Sequence, residues 1–229
     1  MASYESAIPY IQKAEGGLSR STTDTASSNP SPYTYNGVTG WHTNRGVTWT
    51  TFVNLSSQAG YAVTQDNFIN MPDSIWLSIY KIGYWQPMSG DLYNSQSIAN
   101  AVVDFAWGAG VSGAKKGLIK FLSNNGINAT DSTSIAQGFN QLVSTQGESK
   151  TFNDLIDYRK NWFISLNQPS NQNGWLSRME TLRQQGINLI GTEVEAGVQF
   201  VKHNIWLTAG ITVLFMFSLG VIYNKLKEK

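Results

Sequence analysis

The sequence predicts a mainly α fold, with a small β-hairpin possible in residues 21–40 and one transmembrane helix near the C-terminal end. Three observations lead there. Apolar residues recur at helical spacing from residue 4 to about 180, bounded by capping residues and by Gly or Pro stops. A Ser-, Thr-, Asn- and Pro-rich stretch, STTDTASSNPSPYTYNGVTG over 21–40, interrupts that pattern. Loops of this length inside a compact domain are uncommon and are usually functional or mobile. Finally, IWLTAGITVLFMFSLGVIY runs 19 residues from Ile205 to Tyr223 without a charge. That is about the length needed to cross a hydrocarbon core of ~30 Å as a helix.

Composition narrows the function classes. The 229 residues allow one full domain and an appendage. Only 14% of them are charged, against roughly 25% in an average soluble domain. The formal net charge is +1, so no bulk basic field points to a nucleic-acid partner. There is no cysteine, which excludes disulfide frameworks, zinc-thiolate sites and cysteine nucleophiles. His42 and His203 lie far apart and form no metal-ligand spacing. Neither a metal nor a cofactor is expected. The opening MASYESAIPY lacks a basic region followed by an apolar run, so no signal peptide is expected.

The elements follow in order. Ser3 caps a first helix running through Ala14 or Glu15, stopped by Gly16-Gly17. Thr48 caps a helix from Trp49 to about Ala59, and a short helix follows near Asp66–Asn70. Pro72 suits the first turn of a helix carrying Ile75, Trp76, Ile79 and Tyr80. SIANAVVDFAW, Ser97–Trp107, is apolar on nearly all sides and reads as a central buried helix ended by Gly108-Ala109-Gly110. A further helix spans about Ser112–Ser123 and stops at Asn124-Asn125-Gly126. Residues 126–150 read as polar turns around a short helix. Phe152–Leu166 and Gly174–Gln185 are helices, the second following Pro169-Ser170-Asn171. The expected domain covers 1–181, with a first half to about 92 and a helical second half over 93–181. A helical linker over 182–203 leads to the span at 204–224 and a basic tail at 225–229. Trp206 and Tyr223 stand where interfacial aromatics belong, and the lysines of the tail favour a cytoplasmic-type side.

Glu15 is the first chemical candidate. Tyr4, Ile8, Ile11 and Glu15 fall at i, i+4, i+7 and i+11, on one narrow face of the first helix. That face is apolar. A carboxyl held against apolar neighbours favours its neutral form, the state a general acid needs. The Gly16-Gly17 pair lets a ligand approach the backbone closely, although Glu followed by Gly also ends helices for backbone reasons alone. Asp104 is a different kind of signal. It interrupts an apolar helix and therefore reads as a buried structural charge, with Arg159 or Arg178 as partner.

Several motifs then occur in order: Ala14-Glu15-Gly16-Gly17; Thr43-Asn44-Arg45-Gly46-Val47-Thr48; Tyr80-Lys81 with Tyr84-Trp85; Val103-Asp104-Phe105-Ala106-Trp107-Gly108; Tyr158-Arg159 with Trp162-Phe163; and Gly174-Trp175 with Arg178. From about Tyr4 to Thr181 this pattern resembles glycoside hydrolase family 108, lysozyme-like N-acetylmuramidases common among bacteriophages. The resemblance implies a lysozyme-like α+β fold whose second half is a peptidoglycan-binding-like region. It implies cleavage of the β-1,4 bond between MurNAc and GlcNAc in peptidoglycan, with Glu15 protonating the leaving oxygen. Thr43 matches the Thr of the family pattern D-x-G-G-x-T-x-x-G-[IV]-T and is the candidate for holding a water or the substrate.

The chain departs from that pattern at one point. Val38 stands where the family's Asp should be, and the Gly-Gly pair is reduced to Gly40-Trp41. Asp24, nine residues after Glu15, is the only acid of the 21–40 loop. It is a candidate water-activating base and equally a solvated loop residue. Two-carboxylate hydrolysis needs an acid and a base or nucleophile. A lytic transglycosylase instead uses the muramyl 6-hydroxyl as internal nucleophile, so one Glu suffices. A third reading is a lysozyme-like domain that grips peptidoglycan or an assembly partner without cutting. Trp41, beside Thr43, is a candidate sugar platform, as is Tyr84, and His42 is a candidate substrate contact; aromatics on helices are more often core. The C-terminal span and the phage-rich family together suggest a protein held in a virion membrane or the host inner membrane. Other virion proteins are then candidate partners.

Overall fold

The computed structural model describes residues 1–14, 17–19, 34–35, 38–39, 43–169 and 171–192. The chain divides into two compact units, Met1–Gly186 and Ile187–Lys229. The first is mainly α with two small antiparallel sheets. Of the second, residues 187–192 are described, and they are helical. Among the described residues no helix is long and apolar enough to cross a membrane. The expected span at 204–224 and the basic tail lie outside the described residues.

Helix α1 runs Tyr4–Ala14. Ser3 caps it as expected, its Oγ accepting from the Ser6 N–H at 3.2 Å. Gln96 clamps the same end, accepting from Ser3 N–H at 2.8 Å and donating to Ser3 C=O at 3.2 Å. Pro9 lies inside the helix but on its exposed side, where the missing N–H costs least. The buried stripe differs from the expected one: Tyr4, Ala7 and Ile11 are buried, whereas Ile8 is only half-buried. The small Ala7 is the residue turned inward, so the contact face is rotated away from Ile8. Tyr4 donates to Leu77 C=O at 2.6 Å. Burial, and secondarily Glu5, pushes its phenol up to about 12.

One sheet takes the order β1 (Leu18–Ser19), β4 (Thr43–Asn44), β5 (Val47–Thr48). A separate hairpin pairs β2 (Thr34–Tyr35) with β3 (Val38–Thr39), inside the 21–40 region where a hairpin was expected. Helix α2 (Trp49–Gln58) starts at Thr48, whose side chain accepts from the Thr51 N–H at 3.1 Å. Helix α3 is Gln65–Ile69, and α4 is Asp73–Tyr80 with Pro72 just outside its first turn. α4 continues into a single π-helical segment, Lys81–Trp85, which the sequence reading did not predict. Gly83 in that segment is packed so tightly that a Cβ there would lie 2.4 Å from Leu55 Cδ1.

Helix α5, Gln96–Asn124, is a continuous run broken only at Gly110, whose φ of 72° and ψ of 152° are open to glycine. The two helices expected here therefore meet end to end at one residue. Asn125 caps the run. Residues 126–150 hold more structure than expected: α6 spans Ser132–Gln146. Asp131 and Ser134 form a reciprocal capping box at its start. The Ser134 N–H holds the Asp131 carboxyl below the usual carboxylate range. Ile135, Ala136, Phe139 and Leu142 supply its buried stripe. Helix α7 spans Glu148–Ser165, and residues 171–186 form α8.

Asp104 holds three of these helices together. Its Oδ2 accepts from Arg159 on α7 at 2.7 Å, and its Oδ1 accepts from both Nη2 and Nε of Arg178 on α8, at 2.7 and 3.1 Å. Arg159 also donates to Ala101 C=O at 2.9 Å and lies over the Phe105 ring. Burial alone would raise the Asp104 pKa, but the two guanidiniums outweigh it and hold the carboxyl below its ordinary value. Both arginines singled out from sequence are thus partners.

Asp104→Asn removes the carboxylate charge facing the buried Arg159 guanidinium and the half-buried Arg178. Urea unfolding is expected to show a loss of about 3–5 kcal/mol. Because the folded pKa lies below the unfolded one, the Asp104 contribution is complete above the ordinary Asp range near pH ~4 and disappears as pH falls through the folded value. The variant should therefore show a shallower acid destabilisation than the wild type; parallel pH profiles would contradict this assignment.

Candidate active site

Glu15 follows Ala14, the last residue of α1, and precedes β1 by three positions. Glu15, Asp24, Trp41 and His42 lie outside the described residues. Thr43 and Tyr84 lie inside them.

Thr43 sits on β4, half-buried, paired with Ser19 of β1 on one side and Thr48 of β5 on the other. The strand after Glu15 and the strand bearing Thr43 are thus direct neighbours. The motif around Thr43 explains how the sheet is held. Arg45 and Gly46 form the two-residue turn between β4 and β5, with φ of 51° and 76°. Positive φ at both positions is the requirement of a type I′ hairpin. Gly46 adopts it freely, but Arg45 does not, so other contacts must hold it. Its N–H donates to Gly17 C=O at 3.3 Å, and its C=O accepts from Trp76 Nε1 at 2.9 Å. Its guanidinium lies over the Trp76 ring, donates to Met71 C=O at 3.2 Å and pairs with Asp73 at 2.7 Å.

Asn44 completes the clamp and was not singled out from sequence. It is 4% exposed and donates from Nδ2 to Phe68 C=O at 2.6 Å and Ile69 C=O at 2.9 Å. The C-terminal carbonyls of α3 thereby hold β4 in place. Its sequence neighbours, Thr43 and Arg45, are polar, so no local signal pointed to it.

Tyr84 lies in the π-helical segment, half-buried, its ring 4.7 Å from Trp107 and 6.5 Å from Tyr80. Trp76 and Tyr80 pack against the same Trp107 at 5.6 Å. Tyr84 is the outer member of an aromatic cluster that continues into the core.

A cavity of about 370 Å³, solvent mouth included, lies along α1. Ala7, Tyr10 and Ile11 form one wall, Arg178, Thr181, Leu182 and Gln185 of α8 the other, with Tyr80, Asn100 and Asp104 between them. Ile11 stands four residues before Glu15 in the sequence.

Asn44→Ala removes the donor from two carbonyls, one of them on the fully buried Phe68. A loss of about 1–3 kcal/mol in equilibrium unfolding is expected. Wild-type stability in Asn44→Ala would show that β4 is held by other means.

Comparison with known proteins is consistent with this architecture. The structure is similar to that of Brucella abortus SagA, with a TM-score of 0.58 and 23% sequence identity, over 81% of this chain and 94% of that one. At that identity the likeness speaks for the fold. No curated protein matches the sequence. The family described as Glycosyl hydrolase 108 matches residues 8–110, the stretch from α1 to the break in α5. Residues 8–110 are thus similar to the glycosyl hydrolase 108 family.

Proposed function

We propose that the protein cleaves the β-1,4 bond between MurNAc and GlcNAc in peptidoglycan, with Glu15 as general acid. The observation that carries this reading is the family match over 8–110, which contains both Ala14-Glu15-Gly16-Gly17 and Thr43-Asn44-Arg45-Gly46-Val47-Thr48. The local fold supports it. The chain passes Glu15 between α1 and β1, and β1 pairs with the strand carrying Thr43. Gln96 anchors the start of α1, and Asn44 anchors the strand that carries Thr43. In this reading Glu15 gives its proton to the leaving glycosidic oxygen while Thr43 holds a water or the substrate. Trp41, His42 and Tyr84 contact the sugars, and Asp24 activates the water.

Val38 favours a second reading. It occupies the position of the family's Asp and lies on β3 opposite Tyr35. Without a second carboxylate, the muramyl 6-hydroxyl attacks the anomeric carbon, and Glu15 serves first as acid and then as base. The bond to the leaving oxygen breaks, that oxygen takes the Glu15 proton, and Glu15 recovers one from the 6-hydroxyl. The product is a 1,6-anhydromuramyl end.

We further propose that 204–224 anchors the protein in a lipid bilayer, either a phage virion membrane or the host inner membrane. There it would cut the wall locally beside other virion proteins. The support is the uncharged run Ile205–Tyr223 with its flanking Lys202 and Lys225.

Three measurements test these assignments. Glu15→Gln should clear cell-wall suspensions at least about a hundredfold more slowly than wild type; equal clearance would remove Glu15 from the mechanism and favour a non-cutting protein. Among active products, reducing ends that vanish in Asp24→Asn identify the hydrolase, whereas anhydro ends indifferent to Asp24 identify the transglycosylase. For the anchor, the full chain should sediment with membranes after carbonate washing and a chain ending at residue 203 should not; co-fractionation of both as free protein would overturn it.

A further inference from the structure

Arg45 stands where the turn alone would not put it. A two-residue type I′ turn favours Asn-Gly or Gly-Gly, because both central residues take positive φ. Arg45 takes a φ of 51° with a full side chain, a conformation that costs free energy and persists only where the surroundings over-determine it. Asn would meet the demands of the turn at least as well. What Arg adds is the guanidinium, and its contacts lie on residues 71–76, at the start of α4. It donates to Met71 C=O at 3.2 Å, pairs with the Asp73 carboxylate at 2.7 Å and lies 5.0 Å from the centre of the Trp76 ring.

The backbone of the same residue holds the chain beside Glu15. The Arg45 N–H donates to Gly17 C=O at 3.3 Å, and the adjoining residues Asn44 and Leu18 pair across β4 and β1. Gly17 follows Glu15 by two residues, so covalent geometry alone keeps their Cα atoms within about 7 Å. Thr43 precedes Arg45 by two residues, on β4. Beyond the guanidinium, Trp76 packs against Trp107 at 5.6 Å, and Tyr84 rests on the same Trp107 at 4.7 Å. One residue thus ties the chain next to Glu15, the strand of Thr43 and the aromatic support of Tyr84 to the start of α4.

We propose that Arg45 is a positioning residue for glycosidic cleavage: through its bond to Asp73 it keeps the Glu15–Gly17 segment and Thr43 in register with α4, acting through the chain rather than on the sugar. The inference rests on the reading of Glu15 as general acid. It gives the Arg45–Asp73 pair a role in rate and not in substrate binding. The Asp73 side chain is 68% exposed, and an ion pair so open to solvent adds little to stability. Its loss is therefore readable in the chemistry while the fold stands. A misplacement of about 1 Å at a reacting group costs up to about a hundredfold in rate.

The test is steady-state kinetics of the full chain in detergent on soluble, un-cross-linked peptidoglycan strands, with the folded fraction of each variant measured by urea unfolding. Arg45→Asn supplies the preferred Asn-Gly turn, keeps the N–H to Gly17 and removes the guanidinium. Its kcat per folded molecule should fall about tenfold, with KM within about twofold of wild type. Asp73→Asn leaves the Arg45 backbone and its contact with Trp76 in place, so it carries the test if Arg45→Asn does not fold; its kcat should fall about threefold. The double variant should lose no more than Arg45→Asn alone, because both changes remove one link. A kcat per folded molecule equal to wild type, a loss confined to KM, or losses that multiply in the double variant would overturn the proposal. If Glu15→Gln abolishes cleavage with that outcome, the catalytic reading stands and only the role of Arg45 falls. If wild type cleaves nothing, or Glu15→Gln cleaves as well as wild type, both fall.

Discussion

A single carboxylate organises the helical part of this protein. Asp104 sits in the middle of α5, where a charge is expensive, and is offset by guanidiniums from α7 and α8. Three helices distant in sequence are brought to one point. Asp104 also fixes the space that α1 packs beside, since Asp104 and Arg178 line the cavity along Ala7, Tyr10 and Ile11. The pair is directional in a way that apolar contacts are not. It allows one register of α8 against α5, and with it one shape for the cavity.

The sheet side has its own constraint, and it is of a different kind. Two-residue strands cannot hold themselves, and their stability comes from outside the ladder. Asn44 ties β4 to the end of α3, while Arg45, held at positive φ, is gripped through its N–H, C=O and guanidinium by Gly17, Trp76, Met71 and Asp73. The Thr-Asn-Arg-Gly-Val-Thr motif is therefore largely a device for positioning. Asn, Arg and Gly build the hairpin, Val47 buries its inner face, and the last Thr caps α2. Thr43 is the motif residue left for chemistry. Asp104 lines the cavity beside α1 and the Asn44–Arg45 clamp holds the sheet, and Glu15 follows α1 and precedes β1 in the chain.

Much of the helical scaffold was legible in the sequence because the signals were local. Ser3 and Thr48 cap helices, Gly110 breaks one, and Asp104 stood out as a charge in an apolar run. What escaped depends on contacts between elements. The strands β1, β4 and β5 are too short to show alternation. The π-helical segment at Lys81–Trp85 uses residues that suit an α-helix equally well. Helix α6 shows only a narrow apolar stripe among Ser, Thr, Gln and Asn, and its polar surface masked it. For the site, Thr43 could be placed by its motif, but nothing local marks Asn44 as a clamp.

The acid role proposed for Glu15 is read out by mass analysis of the fragments that wild type and Glu15→Gln release from purified peptidoglycan in heavy-oxygen water. Wild type is expected to give new MurNAc ends, labelled if water attacks and unlabelled anhydro ends if the 6-hydroxyl does, and Glu15→Gln neither. The same ends in equal amounts from both proteins, or no new ends from wild type, would contradict it.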